Sequence, residues 1–135
     1  MKIRSTLTSS LLFLGILAFV AAGERSEARR MLEDKCRKSD IEINQSPTVP
    51  LPSGIPTYKV EIANTCVSGC NISNIHLSCG GFSSARLINP TIFKRLSYND
   101  CLVNDGKPLS SGAIISFDYA NSFRYVLSVS SVACV

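Results

Sequence analysis

Tryptophan is absent from this chain of 135 residues, histidine occurs once and methionine twice. Each scarcity removes a class of function. A Ser–His–Asp site needs an imidazole, and only His76 supplies one. His76 falls on the polar face of an expected strand, where a solitary histidine is ordinarily a surface residue. No Gly-x-Ser-x-Gly elbow and no glycine-rich phosphate loop occur. A carboxylate pair of the glycosidase kind has Asp100, Asp105 and Asp118 as its candidates. The first two sit among turn residues, and Asp118 lies on an outward face. Sugar platforms rely on exposed aromatic faces, and the lack of tryptophan weakens that reading. No apolar run beyond Gly23 approaches the roughly 20 residues of a membrane-spanning helix.

Charge is equally sparing. The net charge of +4 falls to +2 once Lys2 and Arg4 are removed. That is too mild a surface to argue for nucleic acid. No internal repeat and no low-complexity block is present.

What the chain does have begins at its first residues. Lys2 and Arg4 are followed by an apolar run from Leu11 to Val20 and by small residues at Ala21, Ala22 and Gly23. That order is expected of a secretory signal peptide over 1–22, cut after Ala22 or Gly23. The run is too short for a membrane anchor, so no stable membrane insertion is expected after its removal. Residues 23–35 form a charged leader with a dibasic pair at Arg29 and Arg30, where processing after Arg30 starts a product at Met31. Residues 36–135 are expected to form one cysteine-rich β domain, the right size for a single core.

Six cysteines, Cys36, Cys66, Cys70, Cys79, Cys101 and Cys134, all follow the signal segment. An even number in an exported chain implies three disulfides. Six cysteines allow 15 connectivities, and Cys66 with Cys70 is a local candidate across Val67-Ser68-Gly69. A zinc site at Cys66-x3-Cys70 is disfavoured by the single histidine and the oxidising compartment. Neither metal nor cofactor is expected.

Polar and apolar residues alternate over 40–45, 57–62, 74–79, 113–119 and 125–130, which is the pattern of half-buried strands. Thr57–Ile62 and Asn74–Cys79 are expected to pair as an antiparallel hairpin through Cys66–Cys70. Residues 92–98 suit a short strand or a helical turn. Four prolines, Pro47, Pro50, Pro52 and Pro56, mark a loop that cannot join a central strand. Val132 breaks the alternation near the end, so a bulge is expected near Ser131. Together these give an all-β fold, a small disulfide-stapled antiparallel β-sandwich with long irregular loops. Tyr58, Phe117, Tyr119 and Tyr125 share the apolar register and are expected in the core, while Phe82, Phe93, Tyr98 and Phe123 fall in loops. Asn71-Ile72-Ser73 and Asn44-Gln45-Ser46 are sequons, making Asn71 and Asn44 glycosylation candidates.

Five stretches resemble the plant tapetum determinant family. They are Leu51-Pro-Ser-Gly-Ile-Pro-Thr-Tyr-Lys-Val-Glu-Ile-Ala-Asn-Thr-Cys66, Gly69-Cys-Asn-Ile-Ser-Asn-Ile-His-Leu-Ser-Cys79, Phe82-Ser-Ser-Ala-Arg-Leu-Ile-Asn-Pro90, Tyr98-Asn-Asp-Cys-Leu-Val-Asn-Asp-Gly106 and Tyr125-Val-Leu-Ser-Val-Ser-Ser-Val-Ala-Cys134. The likeness runs from about Cys36 to Cys134. It implies a small secreted, apoplastic ligand without catalytic activity. It implies a leucine-rich-repeat receptor kinase ectodomain as partner, and a role in tapetal cell fate that limits sporogenous cell number. Two irregular, apolar-rich loops are the expected receptor contacts: Phe82, Arg86, Leu87 and Ile88 in one, Pro50 and Pro52 in the other. An extracellular carbohydrate-binding module at the plant cell wall is the alternative, and a structural wall protein is disfavoured by the lack of repeats.

Overall fold

In the computed structural model, residues 36–67 and 69–134 are described. The signal segment, the charged leader and the processing candidates Ala22, Gly23 and Arg30 lie outside the described residues. Among these residues the chain forms β1 (Ile41–Thr48), β2 (Thr57–Asn64), β3 (Ile72–Ser78), β4 (Phe93–Ser97), β5 (Asp100–Val103), β6 (Ile114–Ala120) and β7 (Ser128–Cys134), with only two three-residue 3-10 turns. Two antiparallel sheets result, one ordered β1-β2-β6 and the other β4-β5-β3-β7.

The alternation that marks the strands also sets the core. Val60 and Ile62 of β2 point inward and are fully buried, while Lys59 and Glu61 face solvent. Ile75 and Leu77 of β3, Val103 of β5, and Phe117 and Tyr119 of β6 complete the interior. Phe93 of β4 lies flat on Phe117 of β6, ring centroids 4.2 Å apart, so the sheets meet through stacked aromatics. Tyr58 and Tyr125 pack half-buried against the same core.

The expected β2–β3 hairpin is corrected: β2 pairs with β1 and β6, and β3 pairs with β5 and β7. The turning agent is Asn64, a fully buried residue at the end of β2. Its Nδ2 donates to the Leu109 carbonyl at 2.8 Å, and its Oδ1 accepts the Cys66 N–H at 2.9 Å. These bonds hold the exit of β2 against the 109–113 segment and send the chain across to the other sheet. A buried amide so satisfied stabilises, whereas an unpaired one costs about 1–3 kcal/mol.

The Cys66–Cys70 candidate is corrected for the same reason, since the two residues lead into different sheets. The bridges are Cys36–Cys66, Cys70–Cys134 and Cys79–Cys101, with Cα separations of 5.6, 5.7 and 6.2 Å. Cys36–Cys66 closes the open end of the β1–β2 pair. Cys70–Cys134 closes the end of β3–β7, where Ile72 faces Cys134. Cys79–Cys101 ties the end of β3 to β5. Each bridge therefore ties strands within one sheet.

Pro47 is a further correction, because it lies inside β1 rather than in the proline loop. The register explains the tolerance. Pro47 stands opposite Tyr58, and β1 is an edge strand. A proline on the outer side of an edge strand removes no ladder bond. β5 was not expected at all; its four residues, Asp-Cys-Leu-Val, are too short for a period to show. β7 starts at Ser128, three residues later than the alternation suggests. The bulge is present, as His76 faces Ser131 while Leu77 faces Val129, leaving Ser130 extra.

The chain-entropy account of cross-links makes the bridges unequal. Replacing both cysteines of the 64-residue Cys70–Cys134 loop by serine is expected to cost about 4 kcal/mol, against roughly 3 kcal/mol for the 22-residue Cys79–Cys101 loop. Denaturant unfolding of the two double variants checks the order.

Candidate functional site

One end of the β1-β2-β6 sheet gathers three connecting segments. Thr48 faces Thr57, and Thr57 faces Ala120. The proline loop 49–56, the loop leaving Gly81 and the segment after Ala120 therefore meet there. Backbone bonds confirm the convergence: Ala85 N–H donates to the Ala120 carbonyl at 2.8 Å, and Asn121 N–H to the Pro56 carbonyl at 3.0 Å.

Loop 82–92 is pinned at both feet. Phe82 is 6% exposed and stands edge-on to both Phe93 and Tyr119, centroids 5.0 and 5.1 Å away. Arg95 Nη1 donates to the Phe82 carbonyl at 3.2 Å. Ser84 Oγ accepts the Ala120 N–H at 3.0 Å and donates to the Arg86 carbonyl at 2.7 Å. At the far foot, Asn89 Oδ1 accepts the Thr91 N–H and hydroxyl at 3.0 and 2.9 Å, while its carbonyl takes the N–H groups of Ile92 and Phe93. An Asx turn of this kind fixes a loop without regular structure.

Between these feet Leu87 is 96% exposed, Arg86 is exposed and Ile88 is half-buried against the core. The expected surface role of Phe82 is corrected: its ring is inside, and it anchors the loop that carries the others. Phe93 is likewise buried rather than looped out. Pro50 and Pro52 are exposed at the neighbouring hairpin end, where Gly54 turns with φ of 92°. Val49, Phe123 and Val126, also exposed, lie in the same group of connecting segments. The Phe123 ring lies tilted against Tyr125, centroids 5.1 Å apart. Val49 falls in the expected proline loop and Val126 on the outward phase of the 125–130 alternation, and only the fold brings the two together at this end of the sheet.

Two clefts flank the loop. One of about 290 Å³ separates Arg86–Asn89 from Lys59, Ser116, Phe117 and Asp118. The other, about 370 Å³, lies toward Lys94 and Arg95. Lys59, Arg86, Lys94 and Arg95 outnumber Asp118 in these walls, although Lys94 is paired with Asp105 at 3.1 Å. The surface is therefore a cationic collar around an apolar tip. Such a surface offers shape and charge to a partner.

The remaining candidates lie elsewhere. His76 Nδ1 and Asp100 Oδ1 are 2.7 Å apart on the outer face of the four-stranded sheet, a part-exposed cross-strand pair between β3 and β5. Asn71 is exposed just ahead of β3, with Ser73 of its sequon buried, and Asn44 is exposed on β1. All six cysteines are bonded in pairs, so the sulfur clusters among the described residues are bridges rather than metal ligands. None of the described helices is long and apolar enough to cross a membrane.

Tyr119 links the loop end to the core. Its hydroxyl donates to Gln45 Oε1 at 2.6 Å and accepts the Tyr125 N–H at 3.0 Å. Burial pushes its hydroxyl above the ordinary value of 10.0. The folded state thus holds the phenolic proton more tightly than the unfolded chain. Its contribution is full below pH 10 and is lost as pH rises beyond it. Wild type is expected to lose stability above pH 10 more steeply than Tyr119→Phe, as measured by denaturant midpoints across pH. Phe82→Ala should cost about 3–5 kcal/mol, and Leu87→Ala within about 0.5 kcal/mol of nothing, in the same assay.

The family described as "Tapetum determinant 1, C-terminal" matches residues 37–135. The chain is 64% identical over 99 residues to TPD1 protein homolog 1 of Arabidopsis thaliana, covering 73% of this chain and 55% of that protein. It is 48% identical over 113 residues to TPD1 protein homolog 1A of Oryza sativa subsp. japonica, covering 78% and 50%. Homolog 1B of the same rice is 46% identical over 112 residues, covering 83% and 66%. The chain thus spans about half the length of the first two relatives. No solved structure matches. On the family match and these identities, the chain belongs to the tapetum determinant 1 family.

Proposed function

We propose that this protein is an exported signalling ligand that binds the ectodomain of a leucine-rich-repeat receptor kinase. In this reading it specifies cell fate in plant reproductive tissue, tapetum or ovule, and limits sporogenous cell number. Residues 1–22 direct export to the apoplast, residues 23–35 are a leader open to processing at Arg30, and residues 36–135 are the active domain. Family membership is the observation that carries the reading, and the three disulfides support it, since oxidised cysteines suit an extracellular protein. The pinned loop supports it physically. A loop held at both feet loses little freedom on binding, so its exposed apolar tip adds affinity at small entropic cost. Arg86, Leu87 and Ile88 supply the principal contacts, with Pro50 and Pro52 beside them.

Alanine blocks over 86–88 and over 50–52 test this on protein whose disulfide map is unchanged. Loss of at least tenfold in affinity for the receptor ectodomain is expected from the first block and a smaller loss from the second. Undiminished binding by both blocks rules the loops out. Retention on cellulose or a glycan array, with no ectodomain bound, selects the carbohydrate-binding reading instead.

A further inference from the structure

We propose that the open edge of β6, walled by loop 86–92, receives an extended acidic segment of a protein partner as an added strand. The inference rests on the ligand reading above and assigns a second element of its binding surface.

The argument starts from backbone direction. Ala120 turns its polar groups away from β2: its N–H donates to Ser84 Oγ, and its carbonyl accepts the Ala85 N–H. Direction alternates along a strand. Asp118, Ser116 and Ile114 therefore turn their N–H and C=O groups outward too. The carbonyl of Ala113, of opposite parity, accepts from Asn64 at the end of β2, as that phase requires. Among the described residues no hydrogen bond satisfies the outward groups of 114, 116 and 118.

Ser84 and Ala85 thus cap the Ala120 end of this edge, and the loop then leaves it. The departure opens the cleft of about 290 Å³ between Arg86–Ile92 and Ser116–Asp118. A row of unpaired groups beside a slot is a template for strand addition. The other edges are blunted. β1 carries Pro47, β4 carries Lys94 and Arg95, and β7 holds the bulge at Ser130 and the bridge at Cys134. β6 has neither proline nor lysine, and Ile114 is 64% exposed on it.

Charge selects the occupant. Lys59 and Arg86 line the slot against the single carboxylate of Asp118. A second copy docking edge to edge brings two such cation pairs together. A partner strand carrying carboxylates between apolar residues meets them favourably.

Ser116→Pro removes only an outward N–H and leaves the β2 ladder whole. Its fold is checked by thermal unfolding and a non-reducing peptide map. Lys59→Glu with Arg86→Glu, both exposed, serves as a second variant should the proline disturb β6. The first probe is a capped eight-residue peptide alternating valine and glutamate. The amide resonances of Ile114, Ser116 and Asp118 are expected to shift on its addition, and either variant should weaken binding at least tenfold. The second probe is the receptor ectodomain, for which the same loss is expected. Shifts confined elsewhere, no peptide binding, a folded Ser116→Pro that binds the ectodomain as wild type does, or a wild-type dimer paired through β6 would each overturn the proposal. If the ectodomain fails to bind wild type, the ligand reading falls, and the peptide alone decides the edge.

Discussion

Phe93 of β4 lies on Phe117 of β6, and Phe82 stands edge-on between Phe93 and Tyr119. Here the two sheets meet, and the rest of the molecule depends on that contact. Sulfur does not substitute for it, because each bridge joins segments that already neighbour one another in one sheet. The bridges act chiefly on the unfolded chain, lowering its freedom. The choice of one sheet packed on another is made by apolar surface leaving water and by aromatic pairs, each adding about 0.5–1.5 kcal/mol beyond area. Asn64 then supplies the polar counterpart, directing the chain from one sheet to the other through two bonds made by a fully buried side chain.

The same contact positions the candidate binding surface. Phe82 belongs both to the core and to the loop that follows it. Its burial fixes one foot of loop 82–92, and Asn89 fixes the other. Leu87 is held out in solvent between them, with Arg86 and Lys59 nearby. Ser84 pairs with Ala120 and then Arg86 turns away, so the loop that presents Leu87 also uncovers the β6 edge. Packing, loop geometry and exposed backbone are thus three consequences of one residue's placement.

Strands were legible where alternation was long, as in Tyr58-Val60-Ile62 and Ile115-Phe117-Tyr119, although over 125–130 the strand starts only at Ser128. Oxidised cysteines were legible from their number and the signal-like start of the chain. Pairing was not, because it is a long-range property. Cys66 and Cys70 are close in sequence but lead into different sheets, and Cys70 finds Cys134 across 64 residues. β2 and β3 looked like a hairpin for the same reason, since the side-chain bonds of Asn64 carry no sequence signature. Loop aromatics were ambiguous: Phe82 and Phe93 went inside, while Tyr98 and Phe123 stayed exposed. The exposed stretch at Arg86 and Leu87 was legible as loop because no strand claimed it. The open edge of β6 was not, since it follows from the loop's departure after Ala85.

In the proposed ligand reading, one end and one edge of a single sheet are presented, and the outer face of β3, β5 and β7 is left to solvent. Hydrogen exchange on the protein alone and mixed with a leucine-rich-repeat receptor ectodomain tests that directly. Slowed exchange over 84–90 and 114–118, with unchanged exchange on the β3–β5–β7 face, is the predicted result. Protection centred on that opposite face, around His76 and Asp100, would contradict it.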